Sequence, residues 1–167
     1  MFKMAVYAIL VFVTLQRMLE LVIARSNTMR LKARGGVEHA PEHYPFMVIL
    51  HGSWLAGLWW FAPGQSIQPF WLILFFVMQA GRIWVLATLG RRWTTRIITV
   101  PGETLVSKGP YRFISHPNYV IVVVEIVALP MAFGLHLFTV LFSLLNALVL
   151  VVRIRAENAA LRDGLSP

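Results

Sequence analysis

Long apolar runs alternate with short polar segments along the chain, and runs of 15 to 20 residues match the thickness of a bilayer rather than one face of a soluble helix. The first runs from about Met4 to Ala24, interrupted by Gln16, Arg17 and Glu20. Lys3 before an apolar run also fits a secretory signal peptide. No small-residue cleavage site follows, and Arg17 and Glu20 fall where such a peptide is apolar, so the run is read as a retained span. On a helix Arg17, Glu20 and Ala24 share a face, which turns the i,i+3 pair toward the bundle interior or the interface. Arg25 to His43 reads as a polar loop broken at Gly35-Gly36.

A second run, from Tyr44-Pro45 to Phe61, carries Trp54, Trp59 and Trp60 and has aromatic residues at both ends, as interfacial belts do; Pro63-Gly64 then turns the chain. A third spans Pro69 to about Leu89, with proline in its first turn. From Arg91 to Pro117 lies the longest segment outside a span. Its Thr94 to Val100 part is β-branched and extended, with turns at Pro101-Gly102 and Lys108-Gly109-Pro110, and it is placed to cover a site at the membrane surface. Asn118 to Val152 would make one helix of about 50 Å, too long for a hydrocarbon core of about 30 Å, so Pro130 and Gly134 predict a hairpin of Tyr119–Phe133 and Leu137–Val152. The expected fold is all-α: one integral membrane domain over residues 1–167, with about five transmembrane helices, the last two a hairpin.

Composition sharpens this. Of 167 residues 58% are apolar and 13% charged, against about 25% charged in soluble domains, which leaves room for one bundle. The absence of cysteine excludes disulfides, thiolate metal sites and a cysteine nucleophile. A net charge of +8 would raise nucleic-acid binding, but the basic residues concentrate in Arg25–Arg34, Arg91–Arg112 and Arg153–Arg162, while Ala62–Gln68 and Gly134–His136 carry no charge. That is the positive-inside pattern, with the N-terminus outside, the C-terminus cytoplasmic, and attraction to anionic lipid rather than to nucleic acid.

No GxGxxG after a strand, phosphate-binding GxxxxGK[ST] loop, HExxH or GxSxG elbow is present, so any chemistry must come from helix ends. The densest polar segment is Lys108 to Tyr119 (KGPYRFISHPNY), followed by Glu125 alone in an apolar stretch, where an ionisable group is functional or paired. An interfacial anchor of Tyr, Arg and His is the plainer reading of that loop. Glu125 stands six residues from Tyr119 and nine from His116, so a joint role needs the loop to fold back. A second group is Asn146, Arg153, Arg155, Glu157 and Asn158; Arg153 and Glu157 are i,i+4, which a mere tail helix would also use. Glu38-His39 and Glu42-His43 look like metal ligands, but the spacing is weak and no metal is expected.

The GPYRFISHPNY segment, the apolar hairpin after it and the closing RIRAEN helix resemble the isoprenylcysteine carboxyl methyltransferase family, most strongly over residues 72–161. Gln16-Arg17, Glu20, Arg25-Ser26-Asn27, His43-Tyr44-Pro45 and His51 resemble a bacterial branch, part of which methylates long-chain alkylpyrones. The resemblance implies an integral membrane enzyme using S-adenosylmethionine, in the bacterial inner membrane with its site facing the cytoplasm. It implies a cofactor site of Tyr111, Arg112, His116, Pro117, Tyr119, Glu125 and Glu157, with Arg153 and Glu157 catalytic. Asn158 stands where family members often carry a second Glu. Methyl transfer from a sulfonium is an in-line displacement, so the protein positions partners and manages charge. A carboxylate or an acidic enol is already ionised, so a cation should hold it: Arg153 first, with Arg82, Arg17 and Asn146 as further substrate contacts. The acceptor is expected to be a lipophile with a long apolar tail taken from the bilayer, each buried CH₂ contributing about 0.8 kcal/mol. The alternatives are a prenylated protein or peptide as acceptor, a non-catalytic membrane scaffold, a transporter, and a nicotinamide-dependent reductase.

Overall fold

The computed structural model describes residues 2–165, with side chains from 3 to 161; Arg162, the last of the third basic stretch, lies outside the described side chains. The first helix, α1 (Phe2–Ala33), buries Val6, Leu10, Val13, Glu20, Ala24, Asn27 and Leu31, with Arg17 half-buried on the same line. This is the stripe of a helix packed along one side. Its other side is apolar and exposed (Leu15, Leu19, Val22), which suits lipid rather than water. The helix does not end near Ala24 as the polar composition predicts. It continues for about 48 Å, because the first residues able to break it are Gly35, at φ +83°, and Gly36.

The chain continues through β1 (Val37–His39), α2 (Tyr44–Phe61), α3 (Pro69–Leu89), β2 (Ile97–Thr99), α4 (Pro117–Ala132) and α5 (His136–Leu165). Bounds of the second and third helices match the sequence reading, and β2 falls in the predicted extended stretch. Its partner β1, which the sequence did not announce, pairs with it antiparallel, Glu38 opposite Ile98. The expectation of about five transmembrane helices holds in part. Among the described residues there are five helices, of which three segments, Lys3–Ala33, Pro69–Arg92 and His136–Leu161, are long and apolar enough to cross a membrane. α4 has 16 residues, about 24 Å, and α2 is diluted by His51 and its tryptophans.

The predicted hairpin is present. Pro130 lies in the last turn of α4, and Gly134, at φ +69°, closes it: Gly134 N–H donates to Met131 O and Leu135 N–H to Pro130 O, both at 3.0 Å. That pair of bonds is a Schellman cap. α4 packs most closely on α3 and α5 and is the central helix. One apolar cluster joins Val6, Leu10, Trp54, Phe75, Leu129 and Phe133; a second joins Ala24, Val85, Trp93 and Ile121. Between them on every helix concerned lie the polar residues: Arg17 and Glu20 on α1, Gln79 and Arg82 on α3, Glu125 on α4.

The ends of the bundle differ in charge. At the neutral end Gln68 N–H donates to Ala132 O at 2.8 Å, joining the two uncharged turns. At the other end the three basic stretches meet. Asn27 Nδ2 donates to Trp93 O at 2.8 Å, Thr28 and Thr94 hydroxyls pair at 2.7 Å, and Glu38 joins Lys32 and Arg96.

Candidate active site

The segment before α4 folds as its glycine and prolines dictate. Gly109 has φ +59° with Thr88 against it, Gly109–Arg112 forms a 3-10 turn, and Phe113 and Ile114 N–H both donate to Pro110 O at 3.1 Å. Pro117 then opens α4, where a missing N–H costs nothing. The turn brings His116 back onto Tyr119, rings stacked at 5.2 Å. Tyr119 OH donates to Glu157 and accepts from Arg153 Nε at 2.9 Å, while His116 Nδ1 lies 3.9 Å from Glu157. Four of the predicted residues are therefore one constellation, built by α4, α5 and the loop between α3 and α4. Tyr111 lines the same cavity; burial, and secondarily Glu157, push its phenol up to about 12, so it stays a neutral hydroxyl.

Two cavities meet at this constellation. The first, about 150 Å³ and the more polar of the two, is lined by Arg96, Thr99, Tyr111, His116 and Glu157 together with Leu89, Ile97 and Ile98. The second, about 280 Å³, lies between the helices and is lined by Leu21, Val48, Leu55, Val122, Val149 and Leu150 among others. Trp93, Thr94, Asn118, Tyr119 and Arg153 line both. Arg153 is 7% exposed, donates to Tyr119 OH, to Thr95 O at 2.8 Å and toward Met47 Sδ at 3.0 Å, and among the described residues has no carboxylate within ion-pair distance. A buried guanidinium without a counter-charge at the junction of a polar and an apolar cavity is a place for an anion.

The remaining predicted residues lie elsewhere. Glu125, 1% exposed, accepts from Arg82 Nε at 2.9 Å, Gln79 Nε2 at 2.8 Å and Arg17 at 2.6 Å, about two turns deeper than Tyr119. Arg17 also pairs with Glu20 at 2.8 Å, as the one-face reading expected, and Arg82 reaches Glu20 at 3.4 Å. Two arginines and two glutamates thus balance inside the bundle. Arg17 and Arg82 touch the apolar cavity, but with their charge already matched; Glu125 is in the lining of neither cavity. Pro117 is buried at the head of α4, Arg112 is exposed outside both cavities, and Asn146 lines the apolar one. Among the described residues no cluster of three or more His, Asp or Glu could hold a metal, and Glu38 is taken by Lys32 and Arg96.

Sequence reasoning passed over Asn118 and gave His51 no role. Asn118 sits within the quoted segment, and its Oδ1 is buried without a partner between the cavities. His51 lines the apolar cavity, and its signal was an ionisable residue alone in an apolar run, the one used for Glu125.

The family model of the isoprenylcysteine carboxyl methyltransferase family matches residues 71–163, from the start of α3 to the end of the constellation on α5. A protein of Bacillus subtilis (strain 168), the uncharacterized protein YpbQ, is 36% identical over 162 residues, covering 94% of this chain and 96% of that protein. No solved structure matches the chain. With more than half its length matched and the motif residues gathered into one site, the chain belongs to the isoprenylcysteine carboxyl methyltransferase family and is an S-adenosylmethionine-dependent methyltransferase of the membrane.

Proposed function

We propose that the chain transfers a methyl group to the ionised oxygen of a lipophilic acceptor, an acidic enol such as that of a long-chain alkylpyrone or a carboxylate. The observation that carries this reading is Arg153, a buried cation with no carboxylate partner among the described residues, on the wall common to a polar and an apolar cavity. S-adenosylmethionine, when bound, supplies an electrophilic methyl on a sulfonium. The donor set of the polar cavity fits it. The Glu157 carboxylate accepts from amine or hydroxyl groups, Asn118 Oδ1 is an acceptor left without a partner, and Tyr111 and His116 offer further polar contacts.

Arg153 holds the acceptor's anion and is itself oriented by Tyr119 and Thr95, so little reorganisation accompanies the reaction. No strong base is needed, because the acceptor arrives ionised. The tail lies in the apolar cavity, whose wall includes half-exposed Met18, Leu21 and Val48; an amphiphile reaches it sideways from the bilayer between α1 and α2. The basic end of the bundle faces the cytoplasm, with the N-terminus outside.

The test uses full-length protein in nanodiscs. S-adenosylmethionine and S-adenosylhomocysteine are expected to bind by calorimetry and NADPH not, with Glu157→Gln weakening both adenosyl ligands. Arg153→Leu should retain S-adenosylhomocysteine and lose roughly 10- to 100-fold in kcat/KM toward a long-chain 4-hydroxy-2-pyrone, the scale of a charge-assisted hydrogen bond. Farnesylcysteine is the comparison acceptor. Folded protein that binds neither adenosyl ligand overturns the reading.

A further inference from the structure

The apolar cavity has a polar patch of its own, away from Arg153. Asn146 on α5 lines it, is 2% exposed, and has no hydrogen-bond partner among the described residues. A carboxamide lining an otherwise apolar cavity offers a donor and an acceptor to a polar group on whatever enters it. His51 on α2 lines the same cavity. Its Nδ1 lies 2.9 Å from Met47 O, and a carbonyl can only accept, so Nδ1 carries the proton and Nε2 is left as an acceptor.

The helix register puts these two residues at one depth. α2 and α5 run antiparallel: near the neutral end the Phe138 ring lies against Gly57, and near the basic end the Arg153 guanidinium reaches Met47. His51 falls between Gly57 and Met47, and Asn146 falls between Phe138 and Arg153. Asn146 precedes Arg153 by seven residues, about 10 Å of helix rise, somewhat less at the side-chain tips because arginine is longer.

We infer that His51 and Asn146 form a second subsite that hydrogen-bonds a hydroxyl on the acceptor, about two helical turns from the oxygen that is methylated. A hydroxyl matches both partners at once, donating to His51 Nε2 and accepting from Asn146 Nδ2. The acceptor class is thereby narrowed to a hydroxylated lipophile, not one with a bare hydrocarbon tail. The inference rests on the proposed methyl transfer and adds to it the feature by which the enzyme tells one lipid from another. The subsite touches no reacting atom, so His51 and Asn146 are specificity residues and act on binding.

The experiment compares 4-hydroxy-2-pyrones of equal chain length: unsubstituted, with a chain hydroxyl near, midway along or far from the ring, and with the corresponding methyl ethers. Binding is measured on full-length protein in nanodiscs saturated with S-adenosylhomocysteine, and turnover with labelled methyl donor. One hydroxyl position is expected to bind about five- to tenfold tighter than the unsubstituted pyrone, the scale of a net buried hydrogen bond, with KM lowered, kcat unchanged and the ether without advantage. Asn146→Leu and His51→Phe should each abolish that preference, so that within each variant the hydroxylated and the unsubstituted pyrone have the same affinity and the same KM, while S-adenosylhomocysteine binds as in the parent. Methylation of all the pyrones without preference for any hydroxyl overturns the subsite and leaves the methyltransferase reading intact, as does a preference that survives both substitutions. Failure to bind S-adenosylhomocysteine overturns both.

Discussion

Replacing Glu125 by leucine leaves Arg17 and Arg82 sharing the single carboxylate of Glu20 inside the bundle. In the native layer Glu125 accepts from Arg17, Gln79 and Arg82, with Arg82 4% exposed and Glu125 2% exposed in their side chains. Removing one partner of a buried pair costs about 3–5 kcal/mol, because the other charge remains desolvated and uncompensated. At roughly 2–4 °C per kcal/mol for a chain of this size, the expected loss of thermal stability is on the order of 10 °C. Glu125→Gln should fall between, since it keeps the shape and one acceptor oxygen but not the charge. The informative variant is Glu125→Leu with Arg82→Leu, which restores one arginine facing one glutamate and should recover more than half the loss. Melting curves in one detergent, followed by intrinsic tryptophan fluorescence, would measure all four proteins. If Glu125→Leu melts within 2 °C of the parent, or the double variant is no more stable than the single, the layer is not a balanced charge cluster and the argument fails.

Two further outcomes follow from the basic end. Burial raises the Glu38 carboxyl, but hydrogen bonds and charge from Lys32 and Arg96 outweigh it and hold it below the usual carboxylate range. Its stabilisation is therefore complete above the unfolded value of about 4.3 and is lost as pH falls through the lower folded value; Glu38→Gln should lower stability at pH 7, flatten the acid limb of stability against pH, and change little below the folded value, where the native carboxyl is already protonated. Gly109→Ala places a Cβ on a backbone at φ +59° and against Thr88. It should weaken S-adenosylhomocysteine binding several-fold by calorimetry through displacement of the turn that carries Tyr111, and Thr88→Ala in the same chain should recover only part of it, because the backbone strain stays.

What was legible in the sequence divides by range. The hairpin of α4 and α5 could be read because its causes, Pro130 and Gly134, are local, and β2 because β-branched residues cluster between turns. The extension of α1 was missed because polar composition suggested a loop, while the helix obeys backbone breakers and finds its first only at Gly35-Gly36. β1 has three residues and is held by β2 nearly sixty positions away, with nothing local to announce it. Glu125 was marked as functional or paired from its isolation alone. Arg82 was equally isolated in its own run and Arg17 stood beside Gln16 and Glu20 in its, but which of three charges on three helices meet is decided by packing, and no spacing along one helix contains it.

The same packing bears on the division of work proposed for the two cavities. Glu20 and Glu125 neutralise Arg17 and Arg82 within the bundle, so apart from Arg153 the deep cavity is lined by charges already matched and by apolar side chains, which a lipid tail can enter without stranding an ion. Arg153 lies outside that cancellation. Its direct partners are a phenol, a carbonyl and a thioether, and Glu157 reaches it only through Tyr119. The field of the guanidinium is thus left for a group arriving from the apolar side, while Glu157 and His116 face the polar side. A reaction between a water-soluble donor and a bilayer-soluble acceptor requires such a wall, polar on one face and apolar on the other, with one unmatched cation set in it.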